Sequence, residues 1–232
     1  MTDKMQKRET TKVVSPKATF RYPRLNEPDF GNDNYPKPQG EYSVQLILSA
    51  EEAKPLIQKL KPVHDKAVEE GQIKFDQLSI QQRKKLKELS VNNLYTEEFD
   101  KDTEEPTGNI IFKIKMTASG KNRKTGKPWS RKPTIFDAKG QVIKNPPSIW
   151  GGTVGKASFE AAPYFIVGTG TAGVGLYLNA VQIIELRSGD GDNAEGYGFS
   201  KEEGFEYDES MAPAAKEGFD TASAEDDGEE DF

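Results

Sequence analysis

The segment NIIFKIKMTASGKNRKTGKPW (109–129) joins a strictly alternating stretch to a basic turn and a tryptophan. Apolar residues at 110, 112, 114 and 116 alternate with Lys113 and Lys115, and a period of two residues is typical of a strand with one buried face. The turn ASGKNRKTGKP (118–128) is followed by WSRKPTIFD (129–137), which we expect to pair back as a hairpin partner. The segment therefore predicts β structure that carries cations at a hairpin tip.

Strand patterns recur on both sides of this segment. EYSVQLIL (41–48) alternates, and KATFRYPRL (17–25) does so with Pro23, which favours an edge or an early end. NEPDFGNDNYPKPQG (26–40) is dense in turn residues and is expected to be a loop. Further strands are predicted at TVGKASFEA (153–161), PYFIV and GLYLNAVQIIEL (175–186), the last two joined by a glycine-rich turn. This gives five or six strands.

A helical insertion is predicted over residues 49–90. Ser49 with Glu52, and Ser79 with Gln82, have the spacing of capping boxes at helix starts. Apolar residues recur at helical spacing after Ser49, and Pro55 and Pro62 are expected to kink or interrupt that helix. An acidic linker, TEEFDKDTEEPTG, follows. Short strands with one helical interruption favour a mainly β OB-fold, a small barrel of five to six strands, with a β-sandwich as the competing architecture.

The charge of the chain is divided between two unlike regions. From Asp190 onward two lysines stand against 16 acidic residues, a net charge of −14, which leaves +8 for residues 1–189 of a chain whose total is −6. A basic body joined to an acidic tail points to nucleic acid. We therefore expect a flexible N-terminus (1–16), one domain that binds nucleic acid (17–189) and a disordered acidic tail (190–232). The absence of cysteine and of long apolar runs predicts a soluble intracellular protein without a membrane span.

Catalytic motifs are matched only superficially. Gly168, Gly170 and Gly173 spell a dinucleotide-binding fingerprint, but GLYLNAV after them alternates like a strand where a helix is required. Asp29, Glu52 and Lys54 imitate the spacing of a metal-dependent nuclease, yet Glu52 is explained as a capping residue. His64, the only histidine, lies on an apolar helix face and is interpreted as a partly buried structural residue. We expect no enzyme activity, no metal and no cofactor.

Basic residues interleaved with aromatic rings point to a binding function. Cations neutralise phosphates, and exposed rings stack on unpaired bases, so this pattern favours single-stranded DNA. Phe20 or Tyr22 could equally belong to the core, and lysines at a hairpin tip could simply be solvated. The predicted DNA-binding residues are Phe20, Arg21, Tyr22, Arg24, Phe30, Tyr35, Lys121, Arg123, Lys124, Lys127, Trp129, Arg131, Lys132 and Trp150.

The order of these elements resembles that of single-stranded DNA-binding proteins of tailed bacteriophages. The matching stretches are KATFRYPRLNEPDFGN, IIFKIKMTASGKNRKTGKPW, DAKGQVIKNPPSIWGG and the acidic tail that ends in Phe232. The resemblance implies an OB-fold, a groove lined with rings and cations, and roles in DNA replication, recombination and repair. It also implies a tail that docks on replication proteins such as DNA polymerase and helicase-primase, homodimerisation in some members, and a location in the cytoplasm of an infected bacterial host.

The tail suggests two roles for its terminal ring. It could lie in the DNA groove when DNA is absent, or anchor in a basic pocket of a partner; a purely solubilising role is the simplest alternative. Its predicted partner-binding residues are Glu225, Asp226, Asp227, Glu229, Glu230, Asp231 and Phe232. The competing functions for the whole chain are an RNA-binding or annealing protein of the same fold, the metal-dependent nuclease, and an assembly protein whose basic face binds acidic protein.

Overall fold

The computed structural model describes residues 9–122 and 124–187 of the chain. Within these residues the elements follow in this order: β1 (Thr11–Val14), β2 (Ala18–Gly31), β3 (Pro36–Ser49), α1 (Ala50–Asp76), α2 (Ile80–Leu86), β4 (Ser90–Val91), β5 (Thr96–Phe99), β6 (Pro106–Thr117), β7 (Ser119–Lys121), β8 (Pro128–Ser130), β9 (Thr134–Phe136), β10 (Val154–Ile166) and β11 (Thr171–Glu185). Neither of the two helices among them combines the length and apolar character needed to cross a membrane.

Five strands close into a barrel in the order β2, β3, β6, β11, β10. Antiparallel pairing joins β2 to β3, β3 to β6, and β11 to β10. The strands β6 and β11 meet in parallel, and β10 returns to β2 through Val154 and Gly155. Such closure distinguishes a barrel from two stacked sheets. The prediction of an OB-fold is confirmed, with the helices inserted between the second and third barrel strands.

The barrel interior is filled by the alternating residues of its strands. The predicted inward faces of β3 and β6 are confirmed, since their buried residues are Tyr42, Val44, Leu46 and Leu48 on β3 and Ile110, Phe112, Ile114 and Met116 on β6. Phe20 of β2 and Phe159 of β10 complete this core with no exposed surface. A closely packed interior resists deformation, so the outer face of these strands is a rigid support.

Helix α1 begins where the sequence predicts and continues without a break to Asp76. Ser49 and Glu52 form the capping box, as do Ser79 and Gln82 for α2. The apolar face of α1 is buried and packs against β10 and β11. The expected interruption at Pro55 and Pro62 is wrong, because both rings lie on the exposed face, where water can hydrogen bond to the carbonyls they leave unpaired.

Two segments expected to be irregular belong to the sheet. The loop predicted at 26–40 instead lengthens β2 and β3 into a long hairpin whose tip is residues 32–35. Register irregularities and a positive φ at Gly31 (77°) absorb its turn-forming residues without ending the pairing. The acidic linker likewise forms β5, which pairs with β6 across a turn that Asp100 closes by accepting bonds from the amides of Asp102 and Thr103.

Candidate nucleic-acid interface

A β-bulge in β2 sets the geometry of the site. Arg21 pairs with Gln45 of β3 and Arg24 with Ser43, so β2 advances three residues while β3 advances two. The extra residue leaves Tyr22 at a φ of 48°, an uncommon conformation for a residue other than glycine. The Tyr22 side chain is 61% exposed. Pro23 therefore marks a bulge in a continuing strand, not the early end that the sequence favours.

Cations lie in register on the outer face of the barrel next to this bulge. One row across β2, β3 and β6 consists of Arg21, Gln45 and Lys113, and the next of Arg24, Ser43 and Lys115. Lys113 and Lys115 are exposed on β6. These two lysines were absent from the predicted site, although their alternation with apolar residues marks them as facing outward.

Two exposed rings line one groove beside the bulge. The groove has a volume of about 580 Å³ and is formed by residues 22–27 and 148–151; we call it the bulge groove. It contains Tyr22, Arg24 and Trp150, whose side chain is 53% exposed. The structure thus brings together three of the predicted residues from distant parts of the sequence.

Hydrogen bonds fix the walls of the bulge groove. Asn26 donates to the carbonyl oxygens of Pro146 (3.1 Å) and Pro147 (2.9 Å) and accepts from the amide of Ile149 (3.1 Å). The amide of Trp150 donates to the carbonyl of Arg187 at 3.1 Å. The Trp150 segment is therefore held to the barrel on both sides. Asn26 was not predicted, because its role depends on contacts more than 100 residues away.

A second cavity of about 350 Å³ lies next to the bulge groove and shares Leu25 and Asn26 with it. The predicted Lys132 lines this cavity together with Lys144, which was not among the predicted residues. Two more cations therefore stand at the continuation of the groove.

The remaining predicted cations lie on a separate structure, residues 119–131, which we call the basic hairpin. Its strands β7 and β8 pair only with each other, and Lys121, Lys124 and Lys127 are exposed. Arg123 lies outside the described residues. The expected pairing of 129–137 is confirmed only for its first residues, since β9 pairs in parallel with β11 instead.

Trp129 holds the basic hairpin together. A β-carbon placed on Gly120 would lie 2.7 Å from Cζ2 of Trp129, so the ring packs where only glycine leaves room. Arg131 places its Cζ 5.2 Å from the ring centroid and donates from Nε to the carbonyl of Thr117 at 2.9 Å. With 38% of its side chain exposed, Trp129 offers part of one face to a ligand.

The three other predicted rings have different surroundings. Phe30 and Tyr35 are exposed on the hairpin formed by β2 and β3, with Tyr35 at its tip and Phe30 against Gly40. Phe20 has no exposed surface. Its assignment to DNA binding is corrected, because a ring enclosed on both faces by the core cannot receive a base.

A chain of ion pairs connects the hairpin of β2 and β3 to Lys115 of β6. Lys37 contacts Asp29 at 2.6 Å and Glu41 at 3.2 Å, and Lys115 contacts the same Glu41 at 3.2 Å. The hydrogen bond from Lys37 lowers the pKa of Asp29. Burial alone would raise the pKa of Glu41, but Lys115 and Lys37 outweigh it and the pKa is lowered. Both acids therefore remain ionised and offset part of the lysine charge.

The residues of the alternative nuclease site have other roles. Asp29 is paired with Lys37, Glu52 caps α1, and Lys54 pairs with Glu51 at 2.5 Å. Among the described residues no three acidic or histidine side chains are grouped as ligands for a metal ion. The glycines at 168–175 belong to the β10–β11 hairpin, without the helix that a dinucleotide site needs. His64 is partly buried and lies 3.1 Å from the carbonyl of Asn92.

Comparison with known proteins identifies the family of the chain. A family model described as the single-stranded DNA-binding protein of bacteriophage T7 matches residues 17–186. The chain belongs to this family. It is 27% identical over 187 residues, 79% of either chain, to the single-stranded DNA-binding protein of Enterobacteria phage T3, and 25% identical over 173 residues, 71% of either chain, to that of Escherichia phage T7.

The fold is shared with a solved member of the family. The crystal structure of gp2.5, a single-stranded DNA-binding protein encoded by bacteriophage T7, superimposes with a TM-score of 0.62 at 21% identity, covering 86% of this chain and all of that one. At this identity the likeness concerns the barrel and not individual contacts. The predicted resemblance to the phage family is thereby confirmed. The predicted tail residues, Glu225 to Phe232, lie outside the described residues.

Proposed function

We propose that the protein binds single-stranded DNA in the bulge groove, largely without regard to sequence. The observation that carries this proposal is the presence of two exposed rings, Tyr22 and Trp150, in one groove with Arg24. Stacking on an aromatic ring is worth roughly 1–3 kcal/mol per base, and every base offers a face for it. Bases in a duplex are already stacked, so the groove favours unpaired strands. Membership of the phage family supports the same function.

The cations supply the electrostatic part of the affinity for DNA. Arg24, Lys113 and Lys115 flank the groove on the outer face of the barrel, and the basic hairpin adds three exposed lysines. Neutralised phosphates release condensed counterions, so affinity falls as salt rises. Rings in the groove and cations around it together fit a protein that covers and protects single-stranded DNA.

The protein acts, in this proposal, as a binding protein without catalysis. Its surroundings would be those of DNA replication, recombination and repair in the cytoplasm of an infected bacterial host. The ion pairs support a role without catalysis, since Asp29 and Glu41 on the β2–β3 hairpin are both paired with lysines.

A fluorescence titration tests this function. Single-stranded DNA is expected to quench tryptophan emission and to bind more tightly than duplex DNA at equal salt. The variants Trp129→Phe and Trp150→Phe assign the quenching to one ring, and the Trp150 signal should dominate. Equal affinity for duplex without quenching would exclude the stacking groove. Tighter binding of RNA would identify the RNA-binding alternative, and loss of intact DNA with magnesium the nuclease.

We further propose that the acidic tail recruits replication proteins such as DNA polymerase and helicase-primase through Phe232. Acidic side chains steer the segment to a basic surface, and a buried terminal ring anchors it. Deleting residue 232 removes the ring without changing side-chain charge, whereas deleting 212–232 raises the net charge by 7, since eight acids and Lys216 are removed.

Two assays on these variants separate the roles of the tail. Deleting residue 232 should sharply weaken partner binding and hardly change DNA affinity. Deleting 212–232 should raise DNA affinity at low salt if the tail competes for the basic surface, because charge screening is then weakest. Unchanged partner binding without Phe232 would reject the anchor. Light scattering on the same proteins tests homodimerisation.

A further inference from the structure

Arg21 contacts both an acidic residue and an aromatic ring. Its Nη1 donates to Oε1 of Glu98 at 2.7 Å, and its Cζ lies 5.0 Å from the centroid of the Tyr22 ring. The side chains of Arg21 and Glu98 are only 26% and 19% exposed. The guanidinium is therefore held on one side by a carboxylate while it covers part of the ring that lines the bulge groove.

Glu98 is itself fixed by bonds that do not involve Arg21. Its Oε2 accepts from Oγ1 of Thr107 at 3.1 Å and from Nδ2 of Asn109 at 2.9 Å. Both partners lie on β6, with which the Glu98 strand, β5, is paired. The position of the carboxylate is thus determined by the β5–β6 hairpin, and Arg21 meets an acid that is already in place.

We propose that Glu98 is a positioning residue for single-stranded DNA: it holds the Arg21 guanidinium against Tyr22, and the pair forms one wall of the stacking site. This inference rests on the proposed function. A guanidinium that is already neutralised by a carboxylate adds little to counterion release, so Arg21 contributes a planar surface and not a phosphate contact. The extra residue of the bulge is what brings the Tyr22 ring next to this guanidinium.

Arg21 and Tyr22 are linked electrostatically as well as by packing. The pKa of the Tyr22 hydroxyl is lowered, first by a side-chain hydrogen bond with Arg21 and then by the charges of Arg21 and Lys101. Attraction between a cation and the face of a ring favours the same arrangement. A lysine in place of Arg21 would keep the charge and remove the planar group.

The test measures the affinity for an oligothymidine at a series of salt concentrations, which separates phosphate contacts from stacking. The slope of log affinity against log salt reports phosphate contacts, and the affinity extrapolated to 1 M salt reports stacking. In Glu98→Gln, Arg21 is released: the slope should steepen by about 0.7, while the 1 M affinity should fall roughly two- to fivefold. Glu97→Gln is the matched control, because Glu97 precedes Glu98 on β5 but lines a different groove. It should change neither value.

Substitutions of Arg21 leave the bonds of Glu98 to β6 in place, so they provide a second test of the positioning role if Glu98→Gln fails to fold. Both Arg21→Ala and Arg21→Lys should lower the 1 M affinity by a similar two- to fivefold, and neither should flatten the slope. A slope flattened by about 0.7 in Arg21→Ala, or a 1 M affinity that rises or stays unchanged in Glu98→Gln, would overturn the positioning role. Failure of the unaltered protein to bind the oligonucleotide would instead reject the proposed function.

Discussion

The bulge groove and the basic hairpin carry the same kinds of residue but are built differently. In the groove, Tyr22 and Trp150 belong to segments bound to the barrel by Asn26, by backbone bonds and by the core beneath. In the hairpin, Lys121 ends β7, and Lys124 and Lys127 lie in the turn before β8. Among the described residues these two short strands pair only with each other, and Trp129 packs against them. A ring must be positioned to stack, whereas a charge acts over a Debye length of about 10 Å at 0.1 M salt. This difference predicts that loss of a ring from the groove weakens DNA binding equally at every salt concentration, whereas loss of lysines from the hairpin weakens it mainly at low salt.

The largest effect is a loss of stability, expected when the core residue Phe20 below the bulge is replaced. Phe20→Ala should reduce the free energy of unfolding by about 3–5 kcal/mol, because it leaves a cavity below the bulge. Tyr22→Ala, two residues along the same strand, should change it by less than about 0.5 kcal/mol, since that ring is exposed. Urea unfolding of the two variants measures both. Similar losses would mean that Tyr22 is also part of the packing and would weaken its assignment to DNA.

Phe20 and Tyr22 also show how far the sequence could be interpreted. Residues two apart on a regular strand share a face, so alternation alone gives both rings the same surroundings. The bulge separates them, and Pro23, its visible mark, suggested the end of the strand. The strands, the helical insertion and the inward faces of β3 and β6 were predictable because each depends on local periodicity. Barrel closure depends instead on pairings between distant strands, so the sequence left a β-sandwich as an alternative.

The groove itself was only partly predictable. Its rings and Arg24 were identified as candidates by their chemistry, but Asn26, Lys144 and Glu98 act through residues distant in sequence. Lys113 and Lys115 are different, since their outward alternation was visible. Their aromatic neighbour in the sequence, Phe112, belongs to the core, and only the register between strands places the two lysines next to the groove.

The next largest effect should come from the basic hairpin. Replacing Lys121, Lys124 and Lys127 by alanine should flatten the salt slope by about 2, or roughly 0.7 for each phosphate that is no longer neutralised. Affinity at 0.1 M salt would then fall by about two orders of magnitude, and the difference should vanish towards 1 M. The control variant replaces Lys54, Lys61 and Lys74, three exposed lysines of α1, with the same change of charge. If both triple variants behave alike, the effect is one of net charge.

Trp150→Ala tests the contribution of stacking in the bulge groove. Removing one stacking ring should weaken single-stranded DNA binding about tenfold, within the range of roughly 1–3 kcal/mol per base, and by the same factor at every salt concentration. Ile73→Ala on α1 is a suitable control, because both side chains are 53% exposed. A loss of affinity that disappears at high salt would show that Trp150 supports a charge contact and not a stacked base.

The smallest effect is expected in the pH dependence of stability, and it concerns the ion pairs of Glu41 with Lys37 and Lys115. The pKa of Glu41 is lowered in the folded protein: burial opposes ionisation, but Lys115 and Lys37 outweigh it. The resulting stability is complete above the ordinary glutamate pKa of about 4.3 and is lost as the pH falls through the lower folded value. Partly exposed ion pairs contribute less than about 1 kcal/mol, so Glu41→Gln should flatten the decline of unfolding free energy below about pH 4.5 by no more than that.

Glu69→Gln, which removes an exposed acid from the middle of α1, should keep the original profile. If Glu41→Gln also raises DNA affinity at low salt, Glu41 restrains Lys115 from contacting phosphate. If the affinity stays the same, the ion pair with Glu41 does not limit the contribution of Lys115 to DNA binding.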